Sequence, residues 1–239
     1  MNEINFLILA AGKSSRISAF ANGLPKPLIP INGIEVLKRN LLWLNSFGVE
    51  NVWINKHYKS DIFESFFEKI DFIEIKSFLE EDLRGTAGSV REASRLWEDK
   101  KLCVVVYGDN LYNFNLLDLI ERHKKFDSKF TIAAYDKNNV LNSGISSGRI
   151  IESKGKVLQF VENGNDCHSD LVNAGVYIFS SELISMIPEK KFYDFGIDFF
   201  PVLLKKKITI QLYKIEGYCL AIDDPKALRN TEKILLGTQ

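Results

Sequence analysis

The sequence predicts an α/β protein built on a doubly wound, mostly parallel sheet, with a small β-rich lobe in its second half. Three observations carry this. Continuous apolar runs without polar alternation stand at residues 5–9 and 102–107, as expected of central strands buried on both faces. Stretches with helical apolar stripes alternate with such runs throughout the first half. From residue 143 onward glycines crowd together and the β-like runs shorten.

After the strand at 5–9, a helix over 35–47 carries Val36, Leu37, Leu41, Leu44 and Phe47 on one stripe, and Gly48 can end it. A strand at 51–54 precedes a helix over 60–69 with Ile62, Phe63, Phe66 and Phe67 inward, and a strand at 72–75 follows. Residues 86–97 read as a helix with Val90, Ala93, Leu96 and Trp97 on one side. The strand at 102–107 is succeeded by a helix over 116–123 and a strand at 130–135. Beyond these, 149–151, 157–161, 173–179 and 208–215 read as strands, and 196–204 and 225–236 as helices. No linker, repeat or low-complexity tract interrupts the chain, so residues 1–239 read as a single domain.

The bulk numbers narrow the function. Hydrophobic residues make up 46% and charged residues 26% of the 239 positions, the balance of an ordinary globular protein. Lys+Arg and Asp+Glu both number 31, so neither a nucleic acid nor an anionic membrane is an expected partner. Any anion must be bound by local charges. Cys103, Cys167 and Cys219 are odd in number and far apart, which opposes a disulfide framework or a cysteine-ligated zinc and fits the cytoplasm. Cys103 lies in an apolar run and reads as core. The apolar stretch at 6–11 lacks a basic leader and is too short for a signal peptide, and no stretch approaches the roughly 18 apolar residues of a membrane span.

In such a sheet, ligands bind beyond the carboxyl ends of the strands. Two loops fall there. Leu9-Ala10-Ala11-Gly12-Lys13-Ser14-Ser15-Arg16 follows the first strand, and its small residues let backbone N–H groups approach a phosphate or a base. Arg16 and Lys26 supply positive charge, and the prolines of Pro25-Lys26-Pro27-Leu28 restrict the backbone that carries Lys26. Gly108-Asp109-Asn110 ends another strand. Gly85-Thr86-Ala87-Gly88 opens a helix with Thr86 as its N-cap and leaves backbone donors free for a ligand. Asp224 reads as an N-cap before Pro225, which leaves Asp223 as the chemically interesting carboxylate there. The histidines form no ligand or triad set: His57 could line a pocket, His123 belongs on a solvated helix face, and His168 in a polar loop.

The glycine loop, Arg16 and the Pro25-Lys26-Pro27-Leu28 segment resemble the signature of the sugar-1-phosphate nucleotidyltransferase family, usually written LAAGxGTR followed by PKPL. Lys13-Ser14-Ser15 departs from it in the direction of the cytidylyltransferases of the same superfamily. The resemblance implies a Rossmann-like fold of the nucleotide-diphospho-sugar transferase type. Residues 1–135 would be the nucleotide-binding part, and 136–239 the acceptor-binding part with the C-terminal helix. It implies that Arg16 and Lys26 act on the phosphates and are catalytic, while Leu9, Ala10, Ala11, Gly12, Lys13, Ser14, Ser15, Gly85, Thr86, Ala87 and Gly88 bind the nucleotide. It places Glu162, Asn163, Asn173 and Gly175 at the acceptor. Asn163 stands where the family usually has the lysine for the sugar phosphate, with Lys154, Lys156 and Lys191 as unranked substitutes. Asp109 would hold magnesium. An Asp-Ile-Gly-Thr-Pro alignment would put the second metal position at Ala221, but an Ile-Asp-Thr-Pro alignment fits better and puts it at Asp223.

The implied partners are an NTP and a sugar 1-phosphate or related phosphorylated acceptor. The implied products are an NDP-sugar and pyrophosphate, formed by a monomer or small homo-oligomer in nucleotide-sugar and polysaccharide biosynthesis. A cytidylyltransferase with a non-hexose acceptor and a non-catalytic nucleotide-sensing subunit remain as alternatives.

Overall fold

The computed structural model describes residues 1–12, 23–138, 141–144, 148–162, 168–189 and 191–237. The first half contains β1 (Ile4–Leu9), β2 (Pro30–Ile31), β3 (Ile34–Glu35), α1 (Val36–Ser46), β4 (Asn51–Lys56), α2 (Ser60–Phe67), β5 (Glu74–Leu79), α3 (Thr86–Ala93), β6 (Leu102–Tyr107), β7 (Asn110–Tyr112) and α4 (Leu116–Lys125). The second half contains β8 (Phe130–Asp136), β9 (Leu141–Asn142), β10 (Arg149–Ser153), β11 (Lys156–Val161), β12 (Leu171–Ser180), α5 (Phe200–Lys205), β13 (Ile210–Lys214), β14 (Tyr218–Ala221) and α6 (Pro225–Gly237).

The main sheet has nine strands in the order β10-β11-β13-β8-β12-β6-β1-β4-β5. The β6-β1-β4-β5 portion is parallel, as the sequence predicts. The rest corrects the expectation of a mostly parallel sheet: the β-rich second half is present, but it makes the sheet mixed. Strand β12 runs antiparallel to both β6 and β8, and β10 and β11 are antiparallel as well. Arg149 of β10 pairs with Val172 of β12, so β12, β8, β13, β11 and β10 close into a small barrel continuous with the main sheet. The cause lies in the apolar pattern. Residues of β12 such as Val176, Tyr177 and Ile178 are fully buried, as any central strand's would be, whichever way its neighbours run.

Side chains alternate across β1 and separate two cores. Phe6 and Ile8 pack with α1 and α2 through Leu41, Leu44, Phe63 and Phe66. Leu7 packs on the other face with Val90 of α3, Val105 of β6 and the aromatic group Phe130, Tyr177, Phe195 and Phe199. Helices on both faces of a parallel core are the doubly wound arrangement. Cys103 is buried in the second core, as read from the sequence, and burial pushes its thiol well up.

Some boundaries differ from those predicted. The third strand is displaced C-terminally to β5, and α3 ends at Ala93, leaving Leu96 half exposed. The helical stretch expected at 196–204 begins as a wider turn over Phe195–Phe199, capped by Asp194, before α5. Among the described residues no helix is long and apolar enough to cross a membrane.

His123 is a clear correction. It belongs to the inner stripe of α4 with Leu116, Leu119 and Ile120, is 2% exposed, and its Nδ1 lies 2.8 Å from Thr131 Oγ1 on β8. Burial, aided by the charge of Lys124, pushes its pKa down to about 4. The unfolded chain therefore binds a proton that the native state resists. Stability from this group is complete above about pH 6.5 and falls as the pH drops towards 4, by on the order of 3 kcal/mol. In denaturant titrations, the stability difference between the wild type and His123→Gln should shrink between pH 7 and pH 4. A difference independent of pH would show that His123 is not held neutral.

Candidate active site

Lys26 is the centre of the site. Pro25 and Pro27 fix its backbone, and Leu28 N donates to Pro25 O at 2.8 Å to close a tight turn. The lysine side chain is only 10% exposed, and its Nζ donates to Asp109 Oδ2 at 2.6 Å and to Asp223 Oδ1. Burial disfavours the ammonium, but the two carboxylates and their hydrogen bonds outweigh it and hold the Lys26 pKa above its ordinary value.

Asp109 follows β6 and Asp223 precedes α6. Pairing of β7 with β14 brings Asn110 opposite Ala221 and so sets the two carboxylates side by side. Gly108 is required at this crossing: its N donates to Leu9 O at 2.9 Å, and a Cβ there would sit 2.8 Å from that oxygen. Asp224 caps α6 as expected, accepting from Lys226 N and Ala227 N at 2.8 Å.

Two cavities meet at this cluster. A cavity of about 320 Å³ is lined by Leu9, Ala10, Ala11 and Gly12 on one side and by Glu80, Gly85 and Thr86 on another. A second of about 200 Å³ is lined by Glu162, Asn173, Gly175 and Tyr135. Both are bounded by Tyr107, Asp109 and Asp223, and Lys26 lines the first. The structure thus brings together most of the residues singled out from the sequence. Lys13, Ser14, Ser15, Arg16 and Asn163 lie outside the described residues.

The first cavity is organised by a residue the sequence reading missed. Asn55, at the end of β4, accepts from Ala10 N at 2.6 Å through Oδ1, and its Nδ2 donates to Glu80 Oε1 at 2.9 Å and Ser89 Oγ at 3.1 Å. The available signal was an Asn directly after the apolar run Val52-Trp53-Ile54, at the carboxyl end of a strand. His57 lines neither cavity; its Nδ1 lies 2.8 Å from Glu80 O.

The α3 entrance is built differently from the expectation. Gly85, not Thr86, occupies the cap position with φ +74°. The amides of Ala87 and Gly88 both donate to Tyr193 O, at 3.0 and 2.9 Å, so they are already used within the protein. Thr86 Oγ1 donates to Asp194 Oδ2 at 2.7 Å and accepts from Phe195 N at 2.9 Å. Gly85 and Thr86 line the cavity; Ala87 and Gly88 serve to dock the 191–195 segment.

In the second cavity, Asn173 bridges Gly175 N at 2.9 Å and Tyr177 OH at 2.7 Å, and Tyr177 OH reaches Tyr107 OH at 3.2 Å. Gly175 has φ +74°, and a Cβ there would be 2.7 Å from the Tyr107 ring. Burial, reinforced by Asp194, raises the Glu162 pKa. Lys154 sits in the β10–β11 turn, Lys156 opens β11, and Lys191 docks beside α3; none of the three lines the second cavity.

The donor set fits magnesium in one way. Asp109 and Asp223 present hard carboxylate oxygens at one point, the atom Lys26 Nζ. Among the described residues no three His, Cys, Asp or Glu side chains form a metal-holding group, so an ion there would complete its shell with water or phosphate oxygens.

Comparison with known proteins agrees with this geometry. The family model for nucleotidyl transferases matches residues 5–218, and the chain belongs to that family. It is 26% identical to the D-glycero-alpha-D-manno-heptose 1-phosphate guanylyltransferase of Aneurinibacillus thermoaerophilus, over 96% of this chain and 97% of that protein. It is 30% identical to the UTP–glucose-1-phosphate uridylyltransferase of Synechocystis, over 83% of this chain but 54% of that longer enzyme. The fold matches that of HddC from Yersinia pseudotuberculosis, solved in complex with GMP-PN, with a TM-score of 0.81 at 24% identity over 97% of this chain and 99% of that one. The protein is therefore an enzyme of the nucleotidyltransferase class.

Gly85→Ala should test the docking of the 191–195 segment. Its Cβ would lie 2.6 Å from Tyr193 O at a positive φ, so a loss of at least about 2 kcal/mol in unfolding free energy is expected. Weaker nucleotide binding should accompany it. An unchanged denaturation midpoint would show that the segment does not depend on this contact.

Proposed function

We propose that the enzyme joins an NTP and a sugar 1-phosphate to give an NDP-sugar and pyrophosphate. The observation that carries this is the meeting of two cavities at Lys26, Asp109 and Asp223. The nucleotide occupies the larger cavity and the acceptor the smaller. An oxygen of the acceptor phosphate attacks the α-phosphorus in line, the new P–O bond forms as the bond to the β-phosphate oxygen breaks, and pyrophosphate departs with that electron pair. No protein nucleophile is required; placement and charge neutralisation do the work.

Lys26 keeps its proton, because its pKa is raised, and so acts as a fixed positive charge rather than as a base. In this reading it neutralises the phosphate chain, with Arg16 in the same role. Magnesium, held by Asp109 and Asp223, would supply further neutralisation of phosphate charge at the reacting centre. Glu162 and Asn173 offer acceptors and donors to sugar hydroxyls. The three charged residues converging at the cavity junction oppose a purely sensing role. The free, buried thiols of Cys103 and Cys219 support a cytoplasmic setting.

Pyrophosphate release with magnesium, across ATP, GTP, CTP, UTP and dTTP against a panel of sugar 1-phosphates and other phosphorylated acceptors, tests the proposal. One productive NTP and sugar 1-phosphate pair is expected; release only with a non-sugar acceptor would reject it. In the same assay Lys26→Ala should lower turnover at least tenfold, the loss of one charge-assisted contact of roughly 1.5–3 kcal/mol. Unchanged turnover would remove Lys26 from the mechanism.

A further inference from the structure

Tyr177 is fully buried, and the rings of Phe195, Phe200 and Phe130 lie 4.8, 5.4 and 5.8 Å from its own. In this surrounding a phenylalanine would pack as well as a tyrosine. A buried hydroxyl costs free energy unless it is hydrogen-bonded, so its bonds give the reason for the tyrosine.

The hydroxyl is engaged on both sides. It accepts from Asn173 Nδ2 at 2.7 Å and donates to Tyr107 OH at 3.2 Å. Tyr107 is hydrogen-bonded in turn to the Thr86 side chain. Thr86 Oγ1 accepts from Phe195 N at 2.9 Å and gives its own proton to Asp194 Oδ2 at 2.7 Å. The carboxylate at this end can only accept. It therefore sets the direction of every link: Thr86 donates to Asp194, Tyr107 to Thr86, Tyr177 to Tyr107, and the Asn173 amide to Tyr177.

At the other end of the amide, Asn173 Oδ1 accepts from Gly175 N at 2.9 Å. Turning the amide over would set its NH2 group against the Gly175 N–H and its oxygen against the lone pairs of Tyr177. The two contacts together hold it in one orientation. One N–H and one oxygen lone pair remain, and Asn173 lines the second cavity, where these are what its side chain can offer a ligand.

We propose that Tyr177, which lines neither cavity, is a positioning residue for the acceptor: its hydroxyl holds the Asn173 amide so that the spare N–H and oxygen meet hydroxyls of the sugar. The inference rests on the reading of the second cavity as the acceptor site. Without the Tyr177 hydroxyl the amide keeps only its contact with Gly175 N. It can then swing about that contact, and its freed N–H is left unpaired beside a phenyl ring.

Steady-state kinetics on the productive NTP and sugar 1-phosphate pair test this, with the wild type, Tyr177→Phe, Asn173→Ala and the double variant. Tyr177→Phe should raise the acceptor KM about three- to tenfold and leave the NTP KM and kcat within about twofold, since one neutral hydrogen bond is lost on the acceptor side alone. Asn173→Ala should raise the acceptor KM at least as far. The double variant should match Asn173→Ala, because Tyr177 acts only through that amide. Tyr107→Phe breaks the next link and should move the acceptor KM the same way, which keeps the test open should Tyr177→Phe fold poorly. An acceptor KM unmoved by Tyr177→Phe would overturn the proposal. So would a proportional rise in both KM values, or effects of Tyr177→Phe and Asn173→Ala that multiply in the double variant; either would mark a general loosening of the aromatic core. Those outcomes leave the acceptor site standing. Absence of pyrophosphate release by the wild type with every sugar 1-phosphate would reject the acceptor site itself, and this inference with it.

Discussion

A buried ammonium needs anions close by, and Lys26 finds two that lie 83 and 197 residues further along the chain. Much of the surrounding architecture serves that contact. The small sheet of β7, β14 and β9 lies outside the main sheet, and its register brings the last residue of β14 opposite the first of β7. Asp109 and Asp223 then flank one point from opposite chain directions. Lys26 reaches that point from a turn stiffened by two prolines. Breaking such a buried group by removing one partner costs on the order of 3–5 kcal/mol, since it strands the remaining charge. The Lys26 cluster and the seam joining the two halves of the chain are therefore one feature.

The second constraint is the irregularity in β12. Its pairing with β8 shifts register between Asn173 and Tyr177, and the skipped residues include Gly175. A bulge at this point turns the strand and opens space beside Tyr107. Glycine is required because the Tyr107 ring occupies the place of a side chain. The buried hydroxyl of Tyr177 then links two residues that line the second cavity, Tyr107 and Asn173. Strand β12 thus joins the parallel sheet to the small barrel and creates the second cavity through a local defect in its own ladder.

The parallel half was legible because its two central strands, β1 and β6, are apolar runs followed at once by a small residue, Ala10 or Gly108, and because helical stripes alternate with its strands. Lys26, Asp109 and Asp223 were legible because they sit in short motifs of unusual composition. The direction of β12 was not, since burial on both faces produces the same apolar pattern for either strand direction. Ala87 and Gly88 misled for a related reason: small residues at a helix start suit a ligand and a docked chain segment equally well, and here the carbonyl of Tyr193 takes the donors. His123 misled because a single polar residue on an inner stripe is invisible until Thr131 is placed opposite it. Asn55, Glu80 and Asp194 carry no motif; only the fold brings them together.

The electrostatics of the acceptor cavity follow from this placement. Its lining includes the carboxylates of Asp109, Asp223 and Glu162, and no lysine or arginine among the described residues. Among the described residues that line the two cavities, Lys26 is the one cation, and it stands at the corner where the proposed reaction needs the acceptor phosphate. The remainder of the cavity offers acceptors and hydroxyls suited to the neutral, hydroxyl-bearing part of a sugar. Glu162 reinforces the division. Its pKa is raised by burial and by Asp194, which Thr86 and the amides of Gly196 and Ile197 hold in place across the boundary between the cavities. In the proposed reaction, an acceptor turned the other way would place its phosphate among these carboxylates, so charge favours the orientation in which the acceptor oxygen faces the nucleotide.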